Sequence, residues 1–174
     1  DITNDFELEY RAARSVVSSG AEVEITVGGS FADGAATTGA DAAASLEAAR
    51  QSAVFGARFA SMGAVRYSGN TVTVTLNRPD SLFAYLLDIP VLKAGETGAA
   101  SPTSSGRYSV GQDDKGTILT ANPDFAQKTA LPTIRLVELS GYDALVSGLN
   151  IGAISLFSSE QESDLAGSII CNTA

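Results

Sequence analysis

Residues 31–41 carry the most restrictive local pattern in the chain, because they hold the end of a strand, a tight turn and the start of a helix. The pair Asp33-Gly34 is typical of a turn, since Asp accepts hydrogen bonds from nearby backbone N–H groups and Gly tolerates a positive φ. Thr38 can cap the helix and Asp41, three residues later, can answer it in a capping box. The pattern predicts a strand–turn–helix connection, with the helix running to about Arg50.

Glycine-containing turns between β-branched segments predict three hairpins. The clearest strand is Thr71–Leu76, in which threonine alternates strictly with apolar residues. This alternation predicts one buried face and one wetter, threonine-lined face. The predicted strand pairs are residues 14–17 with 22–27, 62–67 with 71–76, and 107–111 with 117–121.

Shorter segments complete the predicted order of elements. Pro79 ends the second hairpin because it cannot donate to a strand ladder, and Ser81 can cap a short helix after it. Residues 96–105 are rich in Gly, Ala, Ser and Thr without periodicity, which predicts an internal linker or a mobile loop. Further helices are expected at 54–60 and 141–148, and further strands at 133–139 and 153–157. Together these elements predict an α+β fold, mainly antiparallel sheet with several helices.

The composition excludes several classes of function. Of the 174 residues, 44% are apolar and 18% are charged, which is typical of a globular protein. The net charge of −9 opposes phosphate backbones and anionic lipids, so we expect no nucleic-acid partner. No apolar run reaches the roughly 18 to 20 residues of a membrane span, so no direct membrane insertion is expected. His is absent and Cys171 is the only Cys, which excludes a Ser-His-Asp triad and a thiolate metal cluster.

Most polar clusters are better explained as structure than as chemistry. Asp33-Gly34 fits a turn, and Gly28-Gly29 lacks the Lys-Ser/Thr that completes a phosphate-binding loop. Asp113-Asp114 is more typical of a solvated hairpin tip than of a general acid and base or a cation site. Asn122-Pro123-Asp124 fits the exit from a strand. We therefore expect no catalytic residue, no metal site and no cofactor.

Aromatic side chains are the remaining candidates for contact with a ligand. Most are expected in the core, since without Trp the chain must fill its core with the available rings and aliphatic side chains. Tyr108 lies next to the predicted loop and is the one candidate ligand-binding or interdomain residue. The others considered are Tyr67, Phe83, Tyr85, Phe125 and Tyr142.

Segments between residues 14 and 157 resemble, in order, motifs of the family 5 extracellular solute-binding proteins. Residues 31–41 are similar to F-S-D-G-T-P-L-T-A-E-D, and residues 71–87 to T-V-T-F-T-L-K-x-P followed by F-x-Y-L-L. Residues 104–108 are similar to G-T-G-P-Y, and residues 117–125 to I-V-L-E-R-N-P-D-Y. Residues 152–156 stand in place of G-E-I-D-L. The chain departs from the motifs at Ala36, Ala40, Ser104, Arg107, Ala153 and Ser155.

The resemblance implies reversible binding, not catalysis. Family members deliver peptides, nickel and related solutes to ABC transporters, so a small solute, with a peptide favoured, and a transporter permease are the implied partners. The implied location is outside the cytoplasm, in the periplasm or as a cell-surface lipoprotein.

Family members are also several times longer, with two lobes that close on the solute across a hinge. The resemblance therefore implies that residues 1–157 form part of the first lobe with its extra subdomain. Residues 158–174 would then lead to a missing second lobe, and the isolated chain would bind solute weakly or not at all.

Two other classes of function stay open at this point. A surface interaction or adhesion domain fits the acidic composition, which is rich in Ser, Thr and Ala. An enzyme would have to work through carboxylates such as Asp33 and Asp124 without any His.

Overall fold

The computed structural model describes residue 8 and residues 10–123, 125 and 129–158. These residues form an α+β fold built on antiparallel sheets, as the sequence predicted. The chain divides into two compact units, one ending at Arg135 and the other beginning at Leu136. Cys171 and Asp124 lie outside the described residues. Within the described part, no helix combines the length and the apolar character needed to cross a membrane.

A four-stranded antiparallel sheet in the order β1-β2-β4-β3 forms the centre of the first unit. Two hairpins build it, with positive φ angles at Gly20 (62°) and Gly69 (55°) in their turns. Both hairpins were predicted, and β2 pairs with β4 to join them, for example at Ile25 and Val72. The strands are β1 (Ala13–Ser19), β2 (Glu22–Val27), β3 (Met62–Ser68) and β4 (Thr71–Leu76).

The core lies between one face of this sheet and helix α1 (Gly39–Gln51). Val72, Val74 and Leu76 of β4 are buried, whereas the alternating threonines are half-buried or exposed, as predicted. The α1 face that packs on the sheet consists mainly of small residues, with Leu46 as its one large apolar side chain. Small residues let the helix approach the sheet closely, and Gly39 N donates to Gly69 O at 3.0 Å.

The two ends of α1 are fixed by side chains. Thr38 and Asp41 form the predicted capping box, which satisfies N–H groups that a helix start leaves unpaired. At the other end, the Arg50 guanidinium pairs with Glu47 and donates to Gly63 O at 2.8 Å. Arg50 thereby ties the last turn of α1 to β3.

Two short 3₁₀ turns, Gly56–Phe59 and Phe83–Leu86, follow α1 and β4. Phe59 and Phe83 are fully buried and meet edge to face, with ring centroids 6.1 Å apart. The prediction that Ser81 caps the second turn was wrong. No described side chain caps this turn, and Asp80 Oδ1 accepts from Leu82 N at 2.9 Å just before it.

A second sheet in the first unit contains β5 (Tyr108–Asp113), β6 (Gly116–Ala121) and β7 (Thr133–Arg135). The predicted hairpin is present, but its turn is shorter than the sequence suggested because both strands extend to Asp113 and Gly116. Asp113 is exposed beside the turn, as predicted for a solvated hairpin tip. It holds Arg135 through two hydrogen bonds of 2.7 and 2.6 Å.

In the second unit, helix α2 (Tyr142–Asn150) confirms the predicted helix. Gly148 is buried, and a Cβ there would lie 3.0 Å from the Leu139 side chain. The strand predicted at residues 133–139 was too long, since β7 ends at Arg135. The strand predicted at residues 153–157 was wrong, since these residues form no strand within the described part of the chain. A segment forms a strand only where a neighbouring strand supplies hydrogen bonds, and the part of the chain that the structure describes supplies none at these positions.

Candidate functional site

A cavity of about 410 Å³ in the first unit is the candidate binding region. Its volume falls within the range of roughly 300–1,000 Å³ that is usual for small-molecule pockets. One side is formed by the sheet and the helix, with Val16 of β1, Ile25 and Val27 of β2 and Leu46 of α1. The cavity therefore opens beside the hydrophobic core.

The opposite wall comes from two stretches without regular structure. Residues 87–91 follow the second 3₁₀ turn and contribute Leu87, Ile89 and Val91. Residues 104–107 precede β5 and contribute Ser104, Ser105, Gly106 and Arg107. Residues 104 and 105 are the end of the Gly/Ser/Thr-rich segment, residues 96–105, which the sequence marked as a linker or a mobile loop. This segment forms no helix or strand, in agreement with a loop, and it lies inside the first unit, so it does not link the two units.

Polar side chains are few and lie among the apolar lining. They include Tyr10, Arg11, Tyr85, Asp88 and Arg107. The Arg107 guanidinium stands 5.8 Å from the centre of the Phe125 ring, a cation–π arrangement. A mainly apolar wall with a few charged and aromatic groups suits a ligand that has both apolar and polar parts.

Tyr108 directly follows a lining residue in the sequence, but it is not among the described residues that line the cavity. It begins β5 opposite Ala121, is half-buried, and donates its hydroxyl to Leu131 O at 2.9 Å. Its neighbours Gly106 and Arg107 do line the cavity. Tyr85 also lines it, and the sequence offered only its aromatic character and its place in the F-x-Y-L-L motif as signals.

The other polar clusters take structural positions. Asp33 Oδ1 accepts from Ala35 N at 3.1 Å, and Gly34 has a φ of 81°, which confirms the predicted turn. Gly28 N donates to Ala12 O at 2.9 Å, so this N–H is already used within the fold. Asn122 is buried and donates its side-chain amide to Gly106 O at 3.1 Å.

Charge at the hairpin tip is strongly paired. The two hydrogen bonds from the Arg135 side chain lower the pKa of Asp113 to about 2, with a further contribution from the Lys115 backbone N–H. The group is an ionised structural carboxylate at neutral pH, which makes it unsuitable as a general acid. Among the described residues, no cluster of three or more metal-ligating side chains is found.

Comparisons with known proteins place this arrangement in a known fold. No protein-family model matches the sequence, and no curated protein matches it either. Solved structures do match. AgaA of A. tumefaciens R10, in complex with agropinic acid, superposes with a TM-score of 0.71 at 22% identity, over 88% of this chain and 35% of AgaA.

Two further structures give the same picture. NikZ of Campylobacter jejuni, in complex with Ni(L-His), matches with a TM-score of 0.72 at 21% identity, over 88% of this chain and 35% of NikZ. The oligopeptide-binding protein AppA of Bacillus subtilis, in complex with a nonapeptide, matches with a TM-score of 0.70 at 19% identity, over 87% of this chain and 35% of AppA. The chain has the fold of these binding proteins. It spans about a third of their length, and the fold expected from the sequence resemblance is confirmed.

Proposed function

We propose that this chain is part of an extracytoplasmic solute-binding protein of an ABC-type importer and that it acts by reversible binding. The observation that carries the proposal is the superposition of 87–88% of the chain on AgaA, NikZ and AppA, each solved with a small ligand. The described fold also offers a cavity with mixed apolar and polar lining. The carboxylates of Asp33 and Asp113 form ion pairs with Lys93 and Arg135.

The proposed solute is a peptide or a similar small molecule, since AppA binds a nonapeptide. The proposed partner of the whole protein is the permease of the importer, and the proposed location is the periplasm or the cell surface as a lipoprotein. We assign residues 1–157 to part of a first lobe and residues 158–174 to the connection towards a second lobe. Because closure over the solute needs both lobes, we expect the 174-residue chain alone to bind weakly.

Thermal denaturation of the longer protein and of the 174-residue chain tests the proposal. Three probes are added separately: a pool of di- to hexapeptides, Ni(II) with L-histidine, and agropinic acid. A probe at 100 times its Kd stabilises the folded state by about 2.7 kcal/mol, which gives a measurable rise in Tm. We expect the peptide pool to raise the Tm of the longer protein and to leave that of the 174-residue chain nearly unchanged. If no probe stabilises either protein, the result refutes an importer function for peptides, nickel–histidine and agropinic acid. It would then favour the alternative of a surface interaction domain.

We also propose that Tyr108 contacts the solute or the second lobe through its ring. Tyr108→Ala in the longer protein should reduce the peptide-induced rise in Tm, whereas Tyr108→Phe should keep it, because only the first removes the ring. Tyr67, which is 59% exposed on edge strand β3, supplies the matched control Tyr67→Ala. Equal rises in Tm for Tyr108→Ala and Tyr67→Ala would exclude Tyr108 from the site.

A further inference from the structure

The segment of residues 92–105, which includes the Gly/Ser/Thr-rich residues 96–105, is fastened to α1 and to the turn before it. At its start, Leu92 N donates to the Ser45 hydroxyl at 2.9 Å, and that hydroxyl lies 3.2 Å from Leu92 O. Ser45 is buried on α1, so this contact reaches into the core. Leu92, the first residue of the segment, is therefore hydrogen-bonded to the middle of α1.

Two carboxylates hold the next two residues. Lys93 forms an ion pair with Asp33, and its Nζ stands 5.6 Å from the centre of the buried Phe31 ring. Ala94 N donates to Asp41 Oδ1 at 3.0 Å. The other oxygen, Asp41 Oδ2, accepts from Thr38 N at 2.9 Å and from the Thr38 hydroxyl at 2.6 Å. One carboxylate thus caps the helix and binds the segment at the same time.

The far end of the segment returns to the same place. Ala32 N donates to Ser104 O at 2.9 Å, and Leu92 and Ser104 form an isolated antiparallel bridge. The Ser105 hydroxyl donates to Val91 O at 3.0 Å, which joins the two ends directly. Residues 87–91 and 104–107, which include Val91, Ser104 and Ser105 of these contacts, form the cavity wall described above.

We propose that Asp33, Asp41 and Lys93 are positioning residues that hold the segment of residues 92–105 against α1 and thereby fix the wall of the cavity. We call these three residues the loop clasp. The inference stands on the geometry of the first unit and is independent of the proposed transport function. It also gives a physical role to the carboxylates of residues 31–41.

The charges of the loop clasp and of Glu96, which lies nearby, are maintained at neutral pH. The hydrogen bond from Lys93 lowers the pKa of Asp33, and the same bond raises the pKa of Lys93. Desolvation raises the pKa of Asp41, but the hydrogen bonds from Thr38 and Ala94 outweigh it and the net shift is downward. The hydrogen bond from Thr103 N lowers the pKa of Glu96. A carboxylate with a lowered pKa stabilises the folded state fully at pH values above its ordinary pKa near 4, and this stabilisation is lost as the pH falls through the lowered pKa. The loop clasp therefore stays closed through the neutral range.

Amide hydrogen exchange on the 174-residue chain tests the proposal by comparing Asp41→Ala with Thr38→Ala. Both variants destroy the capping box, but only Asp41→Ala releases Ala94 N. We expect exchange at Ala94 to rise by about tenfold or more in Asp41→Ala alone, since a hydrogen bond to a charged group is lost. The rise should extend to Ile89 and Gly106 in the cavity wall and leave Val74 in the core unchanged.

Lys93→Met provides an independent variant, because it removes the charge and keeps an apolar chain over Phe31. It should raise exchange at Leu92 and Ala94 in the same way. Equal exchange at Ala94 in Asp41→Ala and Thr38→Ala would overturn the proposal. A rise confined to Ala94, with Ile89 and Gly106 unaffected, would also overturn it, because the contact would then hold one residue and not the wall.

Discussion

Replacing Gly39 with Ala should destabilise the first unit at the contact between α1 and the second hairpin. A Cβ at Gly39 would lie 2.6 Å from Gly69 O and 3.2 Å from Thr71 O. Both atoms belong to the backbone, so a side-chain rotation cannot relieve the contact. The helix or the hairpin must move by roughly 0.8 Å to restore ordinary van der Waals separation. That movement also stretches the 3.0 Å hydrogen bond from Gly39 N to Gly69 O.

The expected cost follows from opposing terms. Overpacking of this kind costs about 1–3 kcal/mol, and a weakened backbone hydrogen bond adds up to about 1 kcal/mol. The higher helix propensity of Ala returns at most about 1 kcal/mol. We therefore expect a net loss of about 2 kcal/mol in the free energy of unfolding and a fall in Tm of about 6 to 10 °C.

Urea denaturation of Gly39→Ala, followed by circular dichroism, measures this loss directly. Gly98→Ala is the matched control, because no atom lies within 4 Å of the added Cβ and Gly98 lacks a positive φ. Its stability should stay within about 0.5 kcal/mol of the unsubstituted chain. If Gly39→Ala were as stable as Gly98→Ala, the close approach of helix and hairpin would be refuted.

Two further substitutions test the second sheet and the core. Asp113→Asn should destabilise the β5–β7 sheet at neutral pH, because the Arg135 side chain loses an ionised partner, and Asp114→Asn is the adjacent control. In the unsubstituted chain this contribution should be complete above the ordinary pKa of 3.8 and fade as the pH falls to about 2, measured as Tm against pH. A flat Tm over that interval would contradict the pairing. Phe83→Ala should lower the free energy of unfolding, measured by urea denaturation, by about 3–5 kcal/mol, because Phe83 is fully buried. The control Leu82→Ala, at an exposed position, should lower it by less than about 0.5 kcal/mol. Similar losses for both variants would contradict the burial of Phe83.

Local signals in the sequence predicted the first unit well because they agreed with one another. The turn at Gly69, the alternation in Thr71–Leu76 and the capping pair Thr38 and Asp41 each specify geometry within a few residues. Contacts between distant residues left no such signal. The pairing of Lys93 with Asp33 joins residues 60 positions apart, and no periodicity marks either partner.

The predicted strand at residues 153–157 failed for the same reason. Its apolar residues suit a strand, but a strand also needs a neighbour whose backbone groups can pair with it. A single sequence states the first condition and leaves the second to the tertiary fold. The sequence could not predict the candidate cavity on similar grounds, since Val16, Leu46 and Ile89 are distant in the chain and come together only in the tertiary fold.

The segment of residues 31–41 shows how a motif can serve structure at some positions and tolerate change at others. The chain departs from the family motif at Ala36 and Ala40, which are exposed and half-buried in the folded unit. It matches the motif at Phe31, Asp33 and Asp41, which respectively fill the core, pair with Lys93 and bind Ala94. Among the matching positions, Asp33 and Asp41 are the ones whose carboxylates fasten the 92–105 segment. In this chain, Asp33 and Asp41 therefore act as anchors for a distant loop, and they connect residues 31–41 with the wall of the cavity.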